Sequence, residues 1–549
     1  MVYSFRVLAV ALAWSIALFG CGGKSEDTAR PNPPGPPDTT DTTDTHTGPV
    51  HTGDTAGLPS KGFVRVQRDA ERLEALDLSV WSYEVRDQGY LTNDGTAPRF
   101  HMVLDPEWAE DEEERPVIFW LHGGVLGIPG DETYGRFCSF ETKWKKGEEN
   151  SLVQLVRGAI EEHDLILSMA RDRGWIFVVP ESDWCDFWAG RGPEDPVHTS
   201  NYSLWHIESI LDRLEWPEGL DGVHVNPSQV YAWGTSIGGA GVLPVAHGLN
   251  GDDPRFAAVV SDSGPAALSK WEVNEWYSPI LAHLFGGLPS DEEGKPTEYA
   301  ENYNWVDGTL LLSERGFRTP VFHAYNRYDT LTPFSQSQAF DAGLEAAYLP
   351  EGVRYLSHDF EHRAPGERFH TQTQGRMMPW GYTAYAAMEF LSGKAVRFIE
   401  AESFCDTGCN LEEEEGTEGN QDPSPYSRGT VITRSPEDGE GILHEGVLSS
   451  TLARTEPLML SLVLIATDLG ALDNSVIAAT ITIETEKETI AQTRVQSGIW
   501  QATSTDGEQA QLAATTLGVT LPLGEEVTFR IDYHGVGKLW FDGLWVFQE

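Results

Sequence analysis

The residue of this chain best suited to act as a nucleophile is Ser236, in Gly234-Thr235-Ser236-Ile237-Gly238. It follows the β-rich run Val230-Tyr231-Ala232-Trp233 and precedes Gly239-Ala240-Gly241. A strand that turns sharply into a helix at such a point holds the serine in a strained conformation with its hydroxyl presented, and flanking glycines let strand and helix close around it. A serine hydroxyl needs a base to take its proton and donors to receive the charge that its attack creates. His122-Gly123-Gly124-Val125 ends a second apolar run, Pro116 to Leu121. Backbone N–H groups of Gly123, Gly124 and Val125, with that of Ile237, can point at a developing oxyanion, where loss of one donor costs about 3 kcal/mol of transition-state stabilisation. His122 is read as orienting this loop. Downstream, the candidate acids are Asp262, Asp307 and Asp329, and the candidate bases are His358, His362 and His370. The chemistry in prospect is acyl transfer, with no cofactor and no metal.

Between Phe63 and Gly393, continuous apolar runs of strand length alternate with helical stretches. Val117 to Leu121, Trp175 to Val179, Val230 to Trp233, Ala257 to Val260 and Pro320 to Tyr325 are runs of the first kind. Without a polar face they suit a sheet buried on both sides. Leu152 to Ala170, Ser203 to Leu214 and Trp380 to Phe390 are helix candidates. The alternation predicts a mostly parallel sheet with flanking helices.

In this setting the glycine-flanked serine, the His-Gly-Gly after a strand, and Thr319 to Phe334, a strand followed by Asp329 and then Pro333, together resemble the α/β-hydrolase superfamily. The resemblance spans roughly residues 63 to 393. Asn226 to Tyr231, leading into the serine strand, looks more narrowly like secreted esterases of the polyhydroxybutyrate depolymerase and feruloyl esterase type. The superfamily order Ser…Asp…His implies Asp329 as the acid, ahead of Asp262 and Asp307; the competing reading is an aspartate that caps a helix near Pro333. The base follows one further strand, Val353 to Phe360, which contains His358. Loop position then favours His362, with His370 as the alternative. The chain departs from the family pattern in lacking a clear Gly-His pair there.

Glu181 to Trp188 follows a strand end, where loops of such sheets face the site. Trp184, Phe187 and Trp188 either line an acyl or aromatic pocket or pack beneath the loop. The substrate expected is an ester, with a polysaccharide ester or a polyester among the candidates; a serine peptidase of the same fold and a non-catalytic binding protein are the competing readings.

The organisation expected is a signal peptide over 1–20, a tether over 21–60, the hydrolase over 61–402, a linker over 403–424 and an all-β domain over 425–549. Arg6 and the apolar run Val7 to Phe19 fit a signal segment, too short for a bilayer span. Leu18-Phe19-Gly20-Cys21 resembles a bacterial lipobox, implying lipidation at Cys21. Gly22, where an aspartate would signal retention, points to an outer-membrane-anchored lipoprotein of the cell envelope. The following Pro-rich and Asp/Thr/Gly-rich tract cannot build a core. The remaining cysteines, Cys138, Cys185, Cys405 and Cys409, allow three disulfide pairings. Cys405 with Cys409 closes a short loop and leaves Cys138 for Cys185. Beyond 425, short strands with Gly/Asp turns predict a jelly-roll-like sandwich. Its last strand resembles that of carbohydrate-binding modules, so glycan contact is an expectation, although Trp540 and Trp545 read better as core.

The 549 residues carry 85 acidic against 38 basic side chains, a formal charge of -47. Such a surface repels nucleic acid and anionic lipid headgroups, so membrane contact is expected through the lipid anchor alone.

Overall fold

The computed structural model describes residues 63–67, 72–73, 78–85, 99–123, 166–167, 169–180, 188, 203–215, 219–248, 255–270, 281–282, 285–291, 294–315, 317–325, 329, 332–346, 355–359, 380–400, 411–413, 430–448, 458–467, 477–496, 501–505, 508–522 and 525–548. The signal segment, the tether and all five cysteines lie outside the described residues.

Apolar runs with no polar face must be buried from both sides, and here they form the middle of one sheet. In chain order its strands are β1 (Phe63–Gln67), β2 (Arg72–Leu73), β3 (Leu78–Val85), β4 (Arg99–Leu104), β5 (Glu114–Leu121), β6 (Ile176–Pro180), β7 (His224–Thr235), β8 (Ala258–Asp262), β9 (Val321–Tyr325) and β10 (Tyr355–Asp359). In space they run β1-β3-β4-β6-β5-β7-β8-β9-β10, with β2 against β3. From β6 to β10 every neighbouring pair is parallel, while β4 meets β6 antiparallel.

Side chains alternate between two cores, as the strand period requires. Val117, Phe119 and Leu121 of β5 join Val230 and Ala232 of β7 on one face. That face is covered by α1 (Ser203–Leu214), α2 (Ile237–His247), α3 (Gly308–Arg315) and α4 (Phe334–Ala346). Ile118, Trp120, Tyr231 and Trp233 point to the other face, toward α5 (Trp380–Leu391). A mostly parallel sheet with helices on both faces and a serine elbow at the end of a central strand is the α/β-hydrolase fold.

The C-terminal region is all β. The strands β11 (Ala395–Glu400), β12 (Leu411–Glu413), β13 (Thr430–Arg434), β15 (Leu458–Thr467), β18 (Gln501–Thr505), β19 (Glu508–Val519) and β21 (Lys538–Gln548) form one sheet. A second holds β14 (Gly441–Leu448), β16 (Ile477–Glu484), β17 (Thr489–Gln496) and β20 (Val527–Tyr533). Both are antiparallel, and Leu460, Leu462, Leu464, Ile481, Ile483, Phe529 and Ile531 fill the core between them.

Two expected boundaries move. The boundary at 402 assigns Ala395 to Glu400 to the hydrolase, whereas β11 pairs along its whole length with β21, from Ala395 against Gln548 to Glu400 against Gly543. The linker expected over 403–424 contains β12, which pairs with β13. The reason is packing. Along β21, Leu544 and Val546 face the core between the two C-terminal sheets, while Trp545 and Phe547 join the core of α5 and the hydrolase sheet. The C-terminal sheet therefore covers part of the second face of the mostly parallel sheet.

Trp545 is 1% exposed and packs its ring 4.7 Å from that of Phe398, which takes it out of consideration for glycan stacking. Trp545→Ala is expected to lower stability by about 3–5 kcal/mol, and both halves should unfold in one transition in urea. Separate transitions, followed by fluorescence and activity, would contradict the shared core. His444, on β14, is buried against Phe541 and Phe529, and burial lowers its pKa to about 4. The fold favours the neutral ring, so this contribution is intact above the unfolded pKa near 6.5 and is lost as pH falls from there toward about 4. His444→Phe should flatten the decline of the urea midpoint across that window.

Candidate active site

In the sheet order, the chain leaves β5 toward β6 on one side and leaves β7 toward β8 on the other. Adjacent parallel strands whose connections diverge leave a crevice beyond their carboxyl ends, where ligands of open α/β sheets bind. Leu121-His122-Gly123 ends β5 and Thr235-Ser236-Ile237 ends β7, and the two strands pair in parallel up to Leu121 against Gly234. Two of the segments singled out from the sequence thus meet at this switch point.

Ser236 has φ 57° and ψ -121°, immediately before α2. A left-handed backbone at a non-glycine residue costs about 1–3 kcal/mol and persists only where its surroundings enforce it. The enforcement is visible. The Ser236 N–H donates to the Asp262 carbonyl at 2.8 Å, and the Ala240 N–H donates to the Ser236 carbonyl at 3.1 Å. A methyl on Gly234 would lie 1.9 Å from the Gly238 carbonyl oxygen, and one on Gly238 would lie 1.9 Å from that of Leu121. Only glycine at these two positions lets β7, α2 and the end of β5 come together. Ser236 itself is 7% exposed.

Gly123 sits against the elbow: a methyl there would come 3.1 Å from the Ser236 β-carbon. Ile237 opens α2. Gly124 and Val125 lie outside the described residues. His122 is buried and donates from Nδ1 to the Gly123 carbonyl at 2.9 Å, in keeping with a loop-orienting residue. Its own carbonyl accepts the indole N–H of Trp188 at 3.1 Å.

That contact takes Trp188 out of the expected substrate pocket and leaves, of its two readings, the one in which it packs beneath the loop. Its ring is fully buried, lies edge-on to His122 at 4.9 Å and covers Gly241, where a methyl would strike the Trp188 β-carbon at 2.4 Å. Trp188 packs beneath the β5 loop and holds it. Trp184 and Phe187 lie outside the described residues.

Among the acids, Asp307 is corrected outright. It is fully buried and anchors α3: one oxygen accepts from the Thr309 N–H, the Thr309 hydroxyl and the Leu310 N–H, and the other from the Ser269 N–H at 2.5 Å. Asp262 ends β8 beneath the elbow, where its carboxylate accepts from the Ser263 hydroxyl at 3.1 Å. Asp329 stands beyond the carboxyl end of β9, buried, with one oxygen accepting the Thr332 N–H at 2.8 Å. The Thr332 hydroxyl in turn donates to the Ser263 carbonyl at 3.1 Å, tying the Asp329 segment to the end of β8. The local N–H bond foreseen for a helix cap is therefore present and fixes the carboxylate. Asp-x-x-Thr ahead of Pro333 is the sequence signal for it. His362 and His370 lie outside the described residues, and His358 is part of β10.

Sequence reading missed a buried polar chain under the elbow. His323 of β9 is fully buried, with Nδ1 3.3 Å from the Ser261 hydroxyl and Nε2 3.1 Å from that of Ser337. Burial lowers its pKa to about 4, with the Asp341 carboxylate and the Ser261 backbone opposing that shift. The ring is therefore neutral in a neutral medium. Inside the apolar run Pro320 to Tyr325, a histidine was the available signal. Among the described residues no cluster of His, Cys, Asp or Glu is arranged to hold a metal ion.

No family model matches the chain, and no curated protein matches it in sequence. Solved structures do overlap it. An S-formylglutathione hydrolase from Agrobacterium tumefaciens shares 12% identity at a TM-score of 0.38, covering 60% of this chain and 98% of that one. Esterase B from Lactobacillus rhamnosis shares 14% at 0.37, covering 58% and 86%. Oligopeptidase B from Leishmania major shares 12% at 0.37, covering 58% of this chain and 37% of its own. The fold assignment rests on the sheet and its elbow, independently of these overlaps.

Gly238→Ala is expected to prevent native folding or to destabilise the protein by more than about 3 kcal/mol, since the backbone at Leu121 cannot yield. Gly343→Ala, in α4 where a methyl meets only Leu312 at 3.6 Å, should instead stabilise by about 0.5–1 kcal/mol. Paired urea melts check both signs.

Proposed function

We propose that this chain is a serine hydrolase that cleaves carboxylic esters through an acyl-enzyme on Ser236. The observation carrying the proposal is the strained Ser236 backbone, φ 57°, at a switch point where Gly123 of the β5 loop abuts it. A buried serine with a strained backbone, beyond the carboxyl ends of two adjacent strands whose connections diverge, is the setting in which a nucleophile elbow presents its hydroxyl.

In this reading a histidine takes the Ser236 proton as the oxygen attacks the ester carbonyl. His362 is the proposed base, with His370 as the alternative. The carbonyl oxygen gains negative charge and is received by backbone N–H groups of Ile237 and of the Gly123-Gly124-Val125 loop. The imidazolium then gives its proton to the leaving alcohol, and the acyl group stays on Ser236. Water, deprotonated by the same histidine, attacks the acyl carbon and releases the acid. Asp329 holds the imidazole in the correct tautomer and balances its cation. Its fixed orientation by the Thr332 N–H supports that role over Asp262, whose carboxylate accepts from Ser263 at the end of β8.

The ester class rests on the resemblance of Asn226 to Tyr231 to secreted esterases. A lipid anchor at Cys21 would hold the enzyme at the outer membrane, a location suited to an extracellular or polymeric ester.

A fluorophosphonate probe should label Ser236, and Ser236→Ala should abolish labelling. Turnover of p-nitrophenyl esters of graded chain length should fall by roughly 10⁴-fold or more in Ser236→Ala. Cleavage of peptides with no turnover of any ester would favour a peptidase; a wild-type protein inert to the probe would favour a binding protein.

A further inference from the structure

The glycines that let the elbow close also strip its first helical turn of anchors. Ile237-Gly238-Gly239 opens α2, and glycine at a helical position costs about 1 kcal/mol in lost backbone entropy. The cost follows from close approach: a methyl on Gly239 would lie 2.8 Å from the Asp262 carbonyl oxygen and 2.8 Å from the α-carbon of Gly264. Yet this turn carries the Ile237 N–H, whose aim decides how well an oxyanion is received.

A side chain from the neighbouring strand supplies a tie. The Ser261 hydroxyl donates to the Gly239 carbonyl at 2.8 Å. With its proton committed there, that hydroxyl can only accept from His323, so the ring proton sits on Nδ1. Nε2 is then an acceptor and receives the Ser337 hydroxyl proton. The result is a one-directional chain from α4 through β9 and β8 to the first turn of α2: Ser337, His323, Ser261, Gly239. All four lie in the interior, away from solvent. In a low-dielectric setting such a chain strengthens each of its bonds, and an unmet member is costly.

We infer that Ser261 and His323 are positioning residues for the Ser236 elbow: His323 directs the Ser261 hydroxyl onto Gly239 and so fixes the turn that aims the Ile237 N–H. This deepens the reading of Ser236 as nucleophile and rests on it. Around the ring, Asp341 of α4 takes hydrogen bonds from the hydroxyls of Tyr325 and Tyr355, so its carboxylate charge is held by two phenols beside His323. The ring keeps the single N–H that the chain needs. Neither Ser261 nor His323 touches substrate in this scheme.

The experiment uses the full chain as Ser261→Ala, His323→Leu, His323→Asn and the Ser261→Ala/His323→Leu pair. Readouts are the fluorophosphonate labelling rate of Ser236, kcat and KM on p-nitrophenyl acetate, and hydrogen exchange across residues 236–246. Ser261→Ala and His323→Leu should each lower the labelling rate and kcat about tenfold, the worth of one buried hydrogen bond, with KM nearly unchanged. The pair should lose no more than either single variant, because both break one chain. His323→Asn, whose amide N–H stands in for Nδ1–H, should recover most of the loss. Exchange across the first turn of α2 should quicken in the two slow variants.

Wild-type kcat and exchange in Ser261→Ala overturn the inference, as do losses that multiply in the pair. If His323→Leu does not fold, Ser261→Ala set against His323→Asn decides alone: slow and near wild type respectively supports it, and any other combination refutes it. A wild-type protein that never labels at Ser236 fails the nucleophile reading itself, whereas exchange still reports whether Ser261 holds the turn.

Discussion

The contact on which the rest depends is the approach of the first turn of α2 to the backbone of β5 and β8. Gly234 meets the Gly238 carbonyl, Gly238 meets that of Leu121, and Gly239 meets Asp262 and Gly264. Each contact leaves no room for a single methyl. Backbone packed on backbone cannot slide as side chains do, because no rotamer can absorb the displacement. The positive φ of Ser236 follows, since the chain must reverse within one residue to pass from β7 into a helix already seated against the neighbouring strands. Ser263, at φ 53°, repeats the device at the end of β8, where its N–H reaches the Ala324 carbonyl. The strain is thus distributed over two adjacent strand ends, each hydrogen-bonded to the next strand.

The other face of the sheet is completed from an unexpected source. An α/β sheet must be covered on both sides, and here α5 shares its side with Trp545 and Phe547 of the final strand. That strand is the spine of its own sheet. It pairs with β15 along one edge and with β11 and β13 in succession along the other. Because β11 follows α5 directly, the helix on the second face of the mostly parallel sheet leads straight into the neighbour of β21. The C-terminal sheets are therefore part of how the mostly parallel sheet buries its core, a different relation from that of a module tethered by a linker.

This explains which parts were legible in the sequence. Strands with continuous apolar runs and the helix Ser203 to Leu214 were readable because periodicity records burial directly. The Gly-x-Ser-x-Gly elbow was readable because its geometry admits almost no other residues. Strand order was not, since nothing local distinguishes a β6 placed beside β4 from one placed beyond β5. The pairing of β11 with β21 is not legible because Val396, Phe398 and Ile399 report only that they are buried, and the strand they pair with lies at the far end of the chain. Trp188 stays open between pocket and packing for a related reason: an aromatic in a strand-end loop looks the same whether it faces the crevice or supports the loop beside it. The His323 chain stayed hidden because its members come from four segments, and the sheet register that sets Ser261 against His323 is not written in either strand alone.

The charge imbalance shapes how the fold is tied. With 85 acidic side chains against 38 basic ones, a cation that met a single carboxylate would leave most acids unmatched. Several cations instead serve more than one. Arg255 reaches Glu208, Asp212 and Glu215 of α1 and its end, and Arg530 lies within ion-pair range of Glu445, Glu484 and Asp532 across three strands of one C-terminal sheet. Exposed pairs are worth little one at a time, but a shared cation relieves repulsion among acids that the fold already holds close. The arrangement inverts at the junction. There Glu389 of α5, nearly buried, is held by both Arg173 at 2.5 Å and Lys394 at 2.7 Å. A buried carboxylate is costly without partners, and two cations from segments on either side of α5 supply them. The helix α5 is thereby fixed by charge at the end where the chain passes from the mostly parallel sheet to the C-terminal sheets.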